Sequence, residues 1–74
     1  MKISIFDKIK TTVEVQSDFS ERIIPAGTQG TVVECYDHPE GYAVDLALPD
    51  DKLIGSFAYE NVILRPDQFV VIKT

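Results

Sequence analysis

The chain has 74 residues, of which 45% are hydrophobic and 26% charged, and its formal net charge is −5. Cys35 is the only cysteine and His38 the only histidine, which excludes an intramolecular disulfide and a structural zinc site. A chain of this length has room for one hydrophobic core, so we expect a single domain over residues 1–74.

The amino-terminal residues do not have the pattern of a targeting segment. Charges at Asp7, Lys8 and Lys10 interrupt them, which argues against a secretory signal peptide. No apolar run approaches the roughly 18 residues that a membrane span needs. One unpaired cysteine fits a reducing compartment. We therefore expect a cytoplasmic protein without membrane contact.

Short runs of β-branched and aromatic residues, separated by Gly, Pro, Asp and Asn, recur along the chain. The first predicted strand covers residues 5–15 and alternates in the way of a strand with one buried face. Its predicted buried side chains are those of Ile9, Thr11, Val13 and Val15. A polar, irregular stretch over 16–22 follows, and then Pro25-Ala26-Gly27, which is typical of a type II turn.

Residues 31–36, after Gly30, give the strongest strand prediction. Residues 37–41 contain Pro and Gly and predict a hairpin loop of about five residues. A return strand over 42–48 follows, and its predicted buried face consists of Tyr42, Val44, Leu46 and Leu48. A turn over 49–52 then precedes a fourth strand over 53–59 that bends at Gly55.

The last third of the chain continues this pattern of short strands separated by turns. Residues 60–62 (Glu60, Asn61 and Val62) are typical of a tight turn or a single 3₁₀ turn, and a short strand over 63–65 ends at Pro66-Asp67. Residues 69–72 form a final apolar segment. Five or six short antiparallel strands at this spacing predict an all-β fold, a small barrel whose closure removes exposed sheet edges.

Several of these runs resemble SH3-like barrels of the KOW type. They are more closely similar to a family of short stand-alone bacterial proteins of unknown function. Its members share an "AG…GTVVE" turn and strand, a "Y-x-V-[ED]" strand and a carboxy-terminal "L-R-P". The matching residues are Ala26, Gly27, Gly30, Thr31, Val32, Val33, Glu34, Tyr42, Val44, Asp45, Leu64, Arg65 and Pro66. The resemblance spans residues 5–66 and implies an SH3-like barrel. Because family members are often encoded beside toxin-like genes, it also implies an antitoxin or immunity role.

The chain departs from the binding modes of better-known SH3-like domains. It lacks the aromatic and acidic strand of peptide-binding SH3 domains and the basic surface of nucleic-acid-binding KOW domains. Its tail, Phe69-Val70-Val71-Ile72, extends past the usual end of the family. Two alternatives stay open for this tail: packing on its own barrel, or pairing with a second copy as an added edge strand in a homodimer.

Residues that commonly act in catalysis do not form a recognised pattern here. His38 lies beside Asp37 and Glu40, but a hairpin tip is a poor place for preorganised catalysis, which favours an exposed loop residue. Cys35 has no adjacent cation to activate it, which favours a small buried hydrophobe. We predict no catalytic residue and no enzymatic activity.

Two further motifs bear on ligand binding. Asp50 and Asp51, with Asp45 or Glu60, lack the ligand spacing and turn glycine of a calcium loop. The segment Gly27-Thr28-Gln29-Gly30 has no lysine behind it and does not lead into a helix, as a phosphate loop would. Both are typical of turns, and we predict neither a metal site nor a cofactor.

The acidic residues concentrate between Glu34 and Glu60. They are Glu34, Asp37, Glu40, Asp45, Asp50, Asp51 and Glu60, against Lys52 alone. Such a segment repels phosphate backbones and speeds the encounter with a basic protein. The alternative is that these are solvated turn and edge residues that keep the protein soluble.

Tyrosines flank the same region. Tyr36 and Tyr42 bracket the predicted hairpin loop, and Phe57 and Tyr59 share a face of the fourth strand. Tyrosine is enriched at protein interfaces, although these rings also suit a barrel core, which is our interpretation for Phe57. The leading hypothesis is a protein-binding module for a basic toxin-like partner. The proposed contact residues are Tyr36, Asp37, Glu40, Tyr42, Asp50, Asp51 and Tyr59.

The alternative hypothesis is a KOW-like module that contacts RNA or the translation machinery. It rests on fold analogy, and the charge balance opposes it. It requires that the few cations converge on one face. These cations are Lys2, Lys8, Lys10, Arg22 and Arg65.

Overall fold

In the computed structural model, which describes residues 3–17, 22–49 and 57–72, the chain forms strands and a single 3₁₀ turn. The predicted all-β class is therefore confirmed. The elements, in chain order, are β1 (Lys8–Thr11), β2 (Val15–Gln16), β3 (Ile23–Ile24), β4 (Gln29–Asp37), β5 (Glu40–Pro49), β6 (Phe57–Leu64), the 3₁₀ turn η1 (Pro66–Gln68) and β7 (Phe69–Val71).

Five of the strands form one antiparallel sheet in the order β6-β5-β4-β1-β7, and β2 pairs with β3 as a separate arm. This arrangement is consistent with the predicted small all-β fold. Within the described residues, the edge strands β6 and β7 are not hydrogen-bonded to each other, so the sheet is open between them. The tail packs on its own sheet, because β7 pairs with β1.

A bulge between Val32 and Glu34 shifts the register of β4 against β5. Bulges bend a strand and increase its twist. The first residues of β4 pair with β1 on one side and with β5 on the other, and its last residues form a long hairpin with β5. The bend therefore separates a part of β4 in the centre of the sheet from a projecting hairpin.

One hydrophobic core lies against the inner face of the sheet. The strand β5 supplies every second residue to it, and the predicted face of Tyr42, Val44, Leu46 and Leu48 is confirmed. The other core residues are Ile9, Val15, Ile24, Val32, Val62, Leu64 and Phe69. The period of two along β5 therefore fixes which side chains point away from the core.

The first strand is shorter than its alternation predicted. Thr11 ends β1, because its carbonyl accepts a hydrogen bond from Gly27 N–H at 2.8 Å. The chain bends over residues 12–13, which leaves Val13 exposed, against the prediction. Val15 is buried as predicted, but on β2, which pairs with β3.

The turn predicted at Pro25-Ala26-Gly27 is present, but it begins one residue later than predicted. The Thr28 hydroxyl donates to the Pro25 carbonyl at 2.6 Å, and Gly27 has a φ of +89°. A positive φ suits the third position of a type II turn that starts at Pro25. Glycine adopts it without the steric cost that a side chain adds.

Two other turns lie elsewhere than predicted. The β4–β5 loop contains only His38 and Pro39, joined by a cis peptide bond, because Asp37 pairs directly with Glu40. Residues 60–62 lie inside β6, where their backbones pair with β5. The 3₁₀ turn comes later, at η1. Residues 50–56, with the predicted bend at Gly55, lie outside the described residues.

Among the described residues, no helix is long and apolar enough to cross a membrane.

Candidate functional site

The outward side of β4, β5 and β6 forms one continuous surface. Side chains of β5 that alternate with its buried ones point outward, and residues directly opposite them on the neighbouring strands share that face. We call this surface the outer face. Its residues are Thr31, Glu34, Tyr36, Gly41, Ala43, Asp45, Ala47, Tyr59, Asn61 and Ile63.

Three large apolar side chains stand on the outer face. Tyr59 is 71% exposed, Ile63 58% and Tyr36 42%. Between them, β5 presents small residues, including Gly41, where an added Cβ would lie 3.3 Å from Cγ2 of Ile63. Large residues on both sides of a strand of small residues create a shallow trough. Single exposed hydrophobic residues are ordinary, but several on one face mark an interaction surface.

Each end of the outer face contains a recess. The recess at the β4–β5 hairpin, which we call the hairpin groove, has a volume of 420 Å³. It is lined by Tyr36, His38, Pro39, Glu40, Gly41, Ile63, Leu64 and Arg65. A second recess of 360 Å³ lies beside Tyr59, between β1 and β5. Tyr36 lies opposite Gly41 of β5, and Tyr59 lies opposite Ala47 of the same strand. These two positions are six residues apart, which is roughly 20 Å at the rise of a strand.

Carboxylates surround the hairpin end. Glu34, Asp37 and Glu40 are exposed, and none of them forms an ion pair with a cation of the described chain. Arg65 also lines the hairpin groove, and its Nε lies 3.2 Å from Oδ1 of Asp67. The hairpin end therefore has carboxylates on both sides of the sheet: Glu34 lies on the outer face, and Asp37 and Glu40 lie on the opposite side. Of the three, Glu40 lines the groove.

Tyr42 lies in the core and not on the exposed surface that its position in the sequence predicted. Only 7% of it is exposed, and its ring packs edge to face on Phe69, with 5.6 Å between centroids. Its hydroxyl donates to Oε2 of Glu40 at 2.5 Å. This hydrogen bond, with burial and the negative charge of the carboxylate, raises the pKa of Tyr42 to about 12. Tyr42 thus holds Glu40 at the rim of the hairpin groove.

The free energy of unfolding of Tyr42→Phe is expected to fall less at high pH than that of the parent chain. The ordinary pKa of a tyrosine is 10.0, and that of Tyr42 in the folded chain is about 12. The folded state keeps a proton that the unfolded state loses, so this stabilisation is complete below about pH 10 and disappears as the pH rises through about 12. Urea unfolding at about pH 9 and pH 11 should show a smaller decrease in the free energy of unfolding for Tyr42→Phe than for the parent chain. Equal losses would contradict the assignment.

The other predicted contact residues divide into groups. Tyr36, Asp37 and Glu40 come together at the hairpin, and Tyr59 lies at the opposite end of the outer face. Asp50 and Asp51 lie outside the described residues, as does the side chain of Phe57. The prediction that these residues bind a partner remains a prediction.

Cys35 and His38, the two candidates for catalysis, are both at the surface. Cys35 is exposed, contrary to its interpretation as a buried hydrophobe, because the β4–β5 hairpin extends past the core at this point. His38 is exposed in the loop, as predicted. Among the described residues, no three His, Cys, Asp or Glu side chains are grouped to hold a metal ion.

Two exposed apolar residues, Ile63 and Phe6, were not predicted from the sequence. Ile63 follows Tyr59 and Asn61 at a period of two, a signal that the predicted turn over 60–62 obscures. Phe6 is a bulky, exposed side chain with a φ of 74°, and its N–H donates to the Val32 carbonyl at 2.7 Å. The sequence contains no glycine or asparagine at this position to signal such a conformation.

The cations of the described residues are Lys8, Lys10, Arg22 and Arg65. Lys8 and Lys10 share the outward side of β1, where Lys8 Nζ donates to Thr31 Oγ1 at 2.9 Å. Arg22 precedes β3, Arg65 follows β6, and Lys2 lies outside the described residues. This distribution offers no reason to prefer an RNA-binding surface.

No known protein family, curated protein or solved structure matches the chain.

Proposed function

We propose that the chain is a non-enzymatic module that binds a basic protein through its outer face. The observation that carries this proposal is the combination of three exposed apolar side chains with carboxylates at the hairpin end that form no ion pair among the described residues. Interfaces combine aromatic residues at their centre with a polar rim. Tyr36 lies where the two features meet, since it borders the hairpin groove next to Asp37.

The charge of the surface favours a protein over a nucleic acid as the partner. Binding to a phosphate backbone depends on lysine and arginine contacts, and the hairpin end presents carboxylates instead. With a net charge of −5, the chain attracts a basic protein over several ångströms and accelerates its association at low salt.

A cytoplasmic antitoxin or immunity protein that binds a basic toxin-like protein is the biological setting that we propose. This part rests on the family resemblance carried by residues 26–34, 42–45 and 64–66. Asp50 and Asp51 are included among the proposed contact residues on the basis of the sequence alone. A homodimer through residues 69–72 would use the edge of β7, where Val70 is exposed.

Replacing Glu34 with Lys is expected to slow association with the partner several-fold at low salt and to flatten the salt dependence. The partner is first isolated by capture on the tagged chain from a nuclease-treated lysate, at low and high salt. A stoichiometric basic protein that is lost at high salt is the expected result. Association rates with the purified partner are then measured by stopped flow.

Glu14→Lys is the matched control, because Glu14 is also exposed and the change in net charge is identical. Its association rate should stay close to that of the parent chain. Equal slowing by both substitutions would mean that bulk charge, and not the outer face, guides binding. In a parallel capture from an untreated lysate, recovery of RNA, or of a protein that nuclease treatment removes, would contradict the proposed function.

A further inference from the structure

The hairpin groove combines apolar walls with an acidic rim. Its walls include Tyr36, Pro39, Gly41 and Ile63, and its rim includes Glu40. We infer that this groove receives an arginine side chain of the partner, an inference that rests on the proposed function. A volume of 420 Å³ lies in the lower part of the range for ligand sites, and it is sufficient for one long side chain.

The walls suit the non-charged part of arginine. Long cationic side chains bury their methylene groups along apolar surface while the charged end stays at the rim. Ile63 and Gly41 supply such a surface, and they lie side by side: a Cβ added at Gly41 would be 3.3 Å from Cγ2 of Ile63. The ring of Tyr36 is 42% exposed beside them, and a guanidinium binds an aromatic ring more often than an ammonium does.

The rim suits the charged end. Glu40 is the carboxylate that lines the groove. Glu40 accepts a hydrogen bond from Tyr42 through Oε2, and a carboxylate has about four lone-pair sites. Sites therefore remain for the paired N–H donors of a guanidinium, which bind carboxylates in a bidentate manner.

The chain's own arginine in this groove does not fill that role. Arg65 lines the groove, but its guanidinium lies against Asp67 of η1, and no ion pair joins it to Asp37 or Glu40 within the described residues. The Glu40 carboxylate at the rim also disfavours an anionic ligand, because like charges repel each other. Charge complementarity with Glu40 thus selects a cation, and the apolar walls of the groove select one with an aliphatic stem.

The test titrates the ¹⁵N-labelled chain with N-acetyl-arginine N-methylamide and follows the amide shifts of Gly41 and Ile63. Saturable shifts with a dissociation constant on the order of millimolar are expected for one side chain. N-acetyl-citrulline N-methylamide has the same length without the charge and should bind at least about fivefold more weakly, since a charged hydrogen bond is lost. Absence of saturation with the arginine probe, or equal binding of citrulline, would overturn the inference.

Tyr36→Leu and Tyr59→Leu form a matched pair of variants on the outer face. Tyr36→Leu is expected to weaken probe binding about threefold, through loss of the aromatic ring, and Tyr59→Leu to leave it unchanged. Glu40→Gln, which keeps an acceptor for the Tyr42 hydroxyl, should weaken it about fivefold. The same spectra show whether each variant is folded. Equal effects of the two leucine variants would overturn the location in the hairpin groove.

The failure of this inference is distinguishable from failure of the proposed function. If Glu34→Lys slows association with a captured basic protein while Tyr36→Leu and Glu40→Gln leave probe binding unchanged, the inference is wrong and the proposed function stands. If the probe binds the groove but no basic protein is captured, the proposed function fails, and with it the assignment of the arginine to a partner.

Discussion

Gly30→Ala is expected to lower the free energy of unfolding by about 3 kcal/mol, near the upper end for overpacking in a core. An added Cβ would lie 2.6 Å from the Asp45 carbonyl oxygen, 2.8 Å from Cδ2 of Leu46 and 2.9 Å from Cγ1 of Val44. The first of these is backbone in the neighbouring strand and cannot rotate away. Relief therefore requires β4 and β5 to separate at the centre of the sheet. Chemical denaturation monitored by tyrosine fluorescence would measure this loss.

Gly27→Ala is the control for this substitution, since it adds the same methyl group where no atom lies within 4 Å. Its cost comes from the φ of +89°, which is unfavourable for alanine by roughly 1–2 kcal/mol. Gly27→Asn should recover part of that cost, because asparagine tolerates the left-handed region, whereas Gly30→Asn should not fold better than Gly30→Ala. A smaller loss for Gly30→Ala than for Gly27→Ala would contradict the close packing of β4 on β5.

The regular strands were predictable from the sequence because their alternation is local. In β5, Tyr42, Val44 and Leu46 repeat at a period of two, and the structure buries all three. The end of β1 was not predictable in this way. The polar and apolar residues continue to alternate through Val13, but the strand ends at Thr11, where its backbone pairs with Gly27. Such a long-range hydrogen bond does not change the local alternation of polar and apolar residues, so the sequence does not indicate it.

The candidate site was partly predictable for the same reason. Tyr36, Asp37 and Glu40 are neighbours in sequence around a turn, so their convergence follows from any tight hairpin. Whether a tyrosine is buried depends on the register between strands, and this placed Tyr42 opposite Leu64 in the core, against the prediction of an exposed contact. Ile63 entered the outer face only because β6 continues through the predicted turn.

The outer face depends on small residues in β5 as much as on large ones beside it. Gly41 and Ala43 are buried although they are on the outward side of the sheet, because Tyr36 and Ile63 extend over that strand from both sides. A larger residue at position 41 would fill the hairpin groove from below. The same alternation that builds the core with Tyr42 therefore also leaves the space that the groove occupies.

Ile24→Ala is expected to cost about 2–5 kcal/mol, whereas Ile23→Ala should change stability by less than about 0.5 kcal/mol. The two isoleucines are adjacent in β3, but Ile24 is fully buried and Ile23 is 60% exposed. The pair provides a control with identical chemistry. Thermal or urea unfolding of both variants would measure the difference, which for a chain of this size corresponds to at least about 6 °C in Tm.

This comparison tests whether the β2–β3 arm belongs to the cooperative core. Val15 of the arm is also buried, and the Ser17 hydroxyl donates to Oε1 of Glu60 on β6, so the arm is joined to the main sheet by packing and by a hydrogen bond. If Ile24→Ala destabilises the whole chain, the arm contributes to the core that supports β5 and β6. Similar small effects of Ile23→Ala and Ile24→Ala would mean that the arm unfolds independently, and the outer face would then be supported by the five-stranded sheet alone.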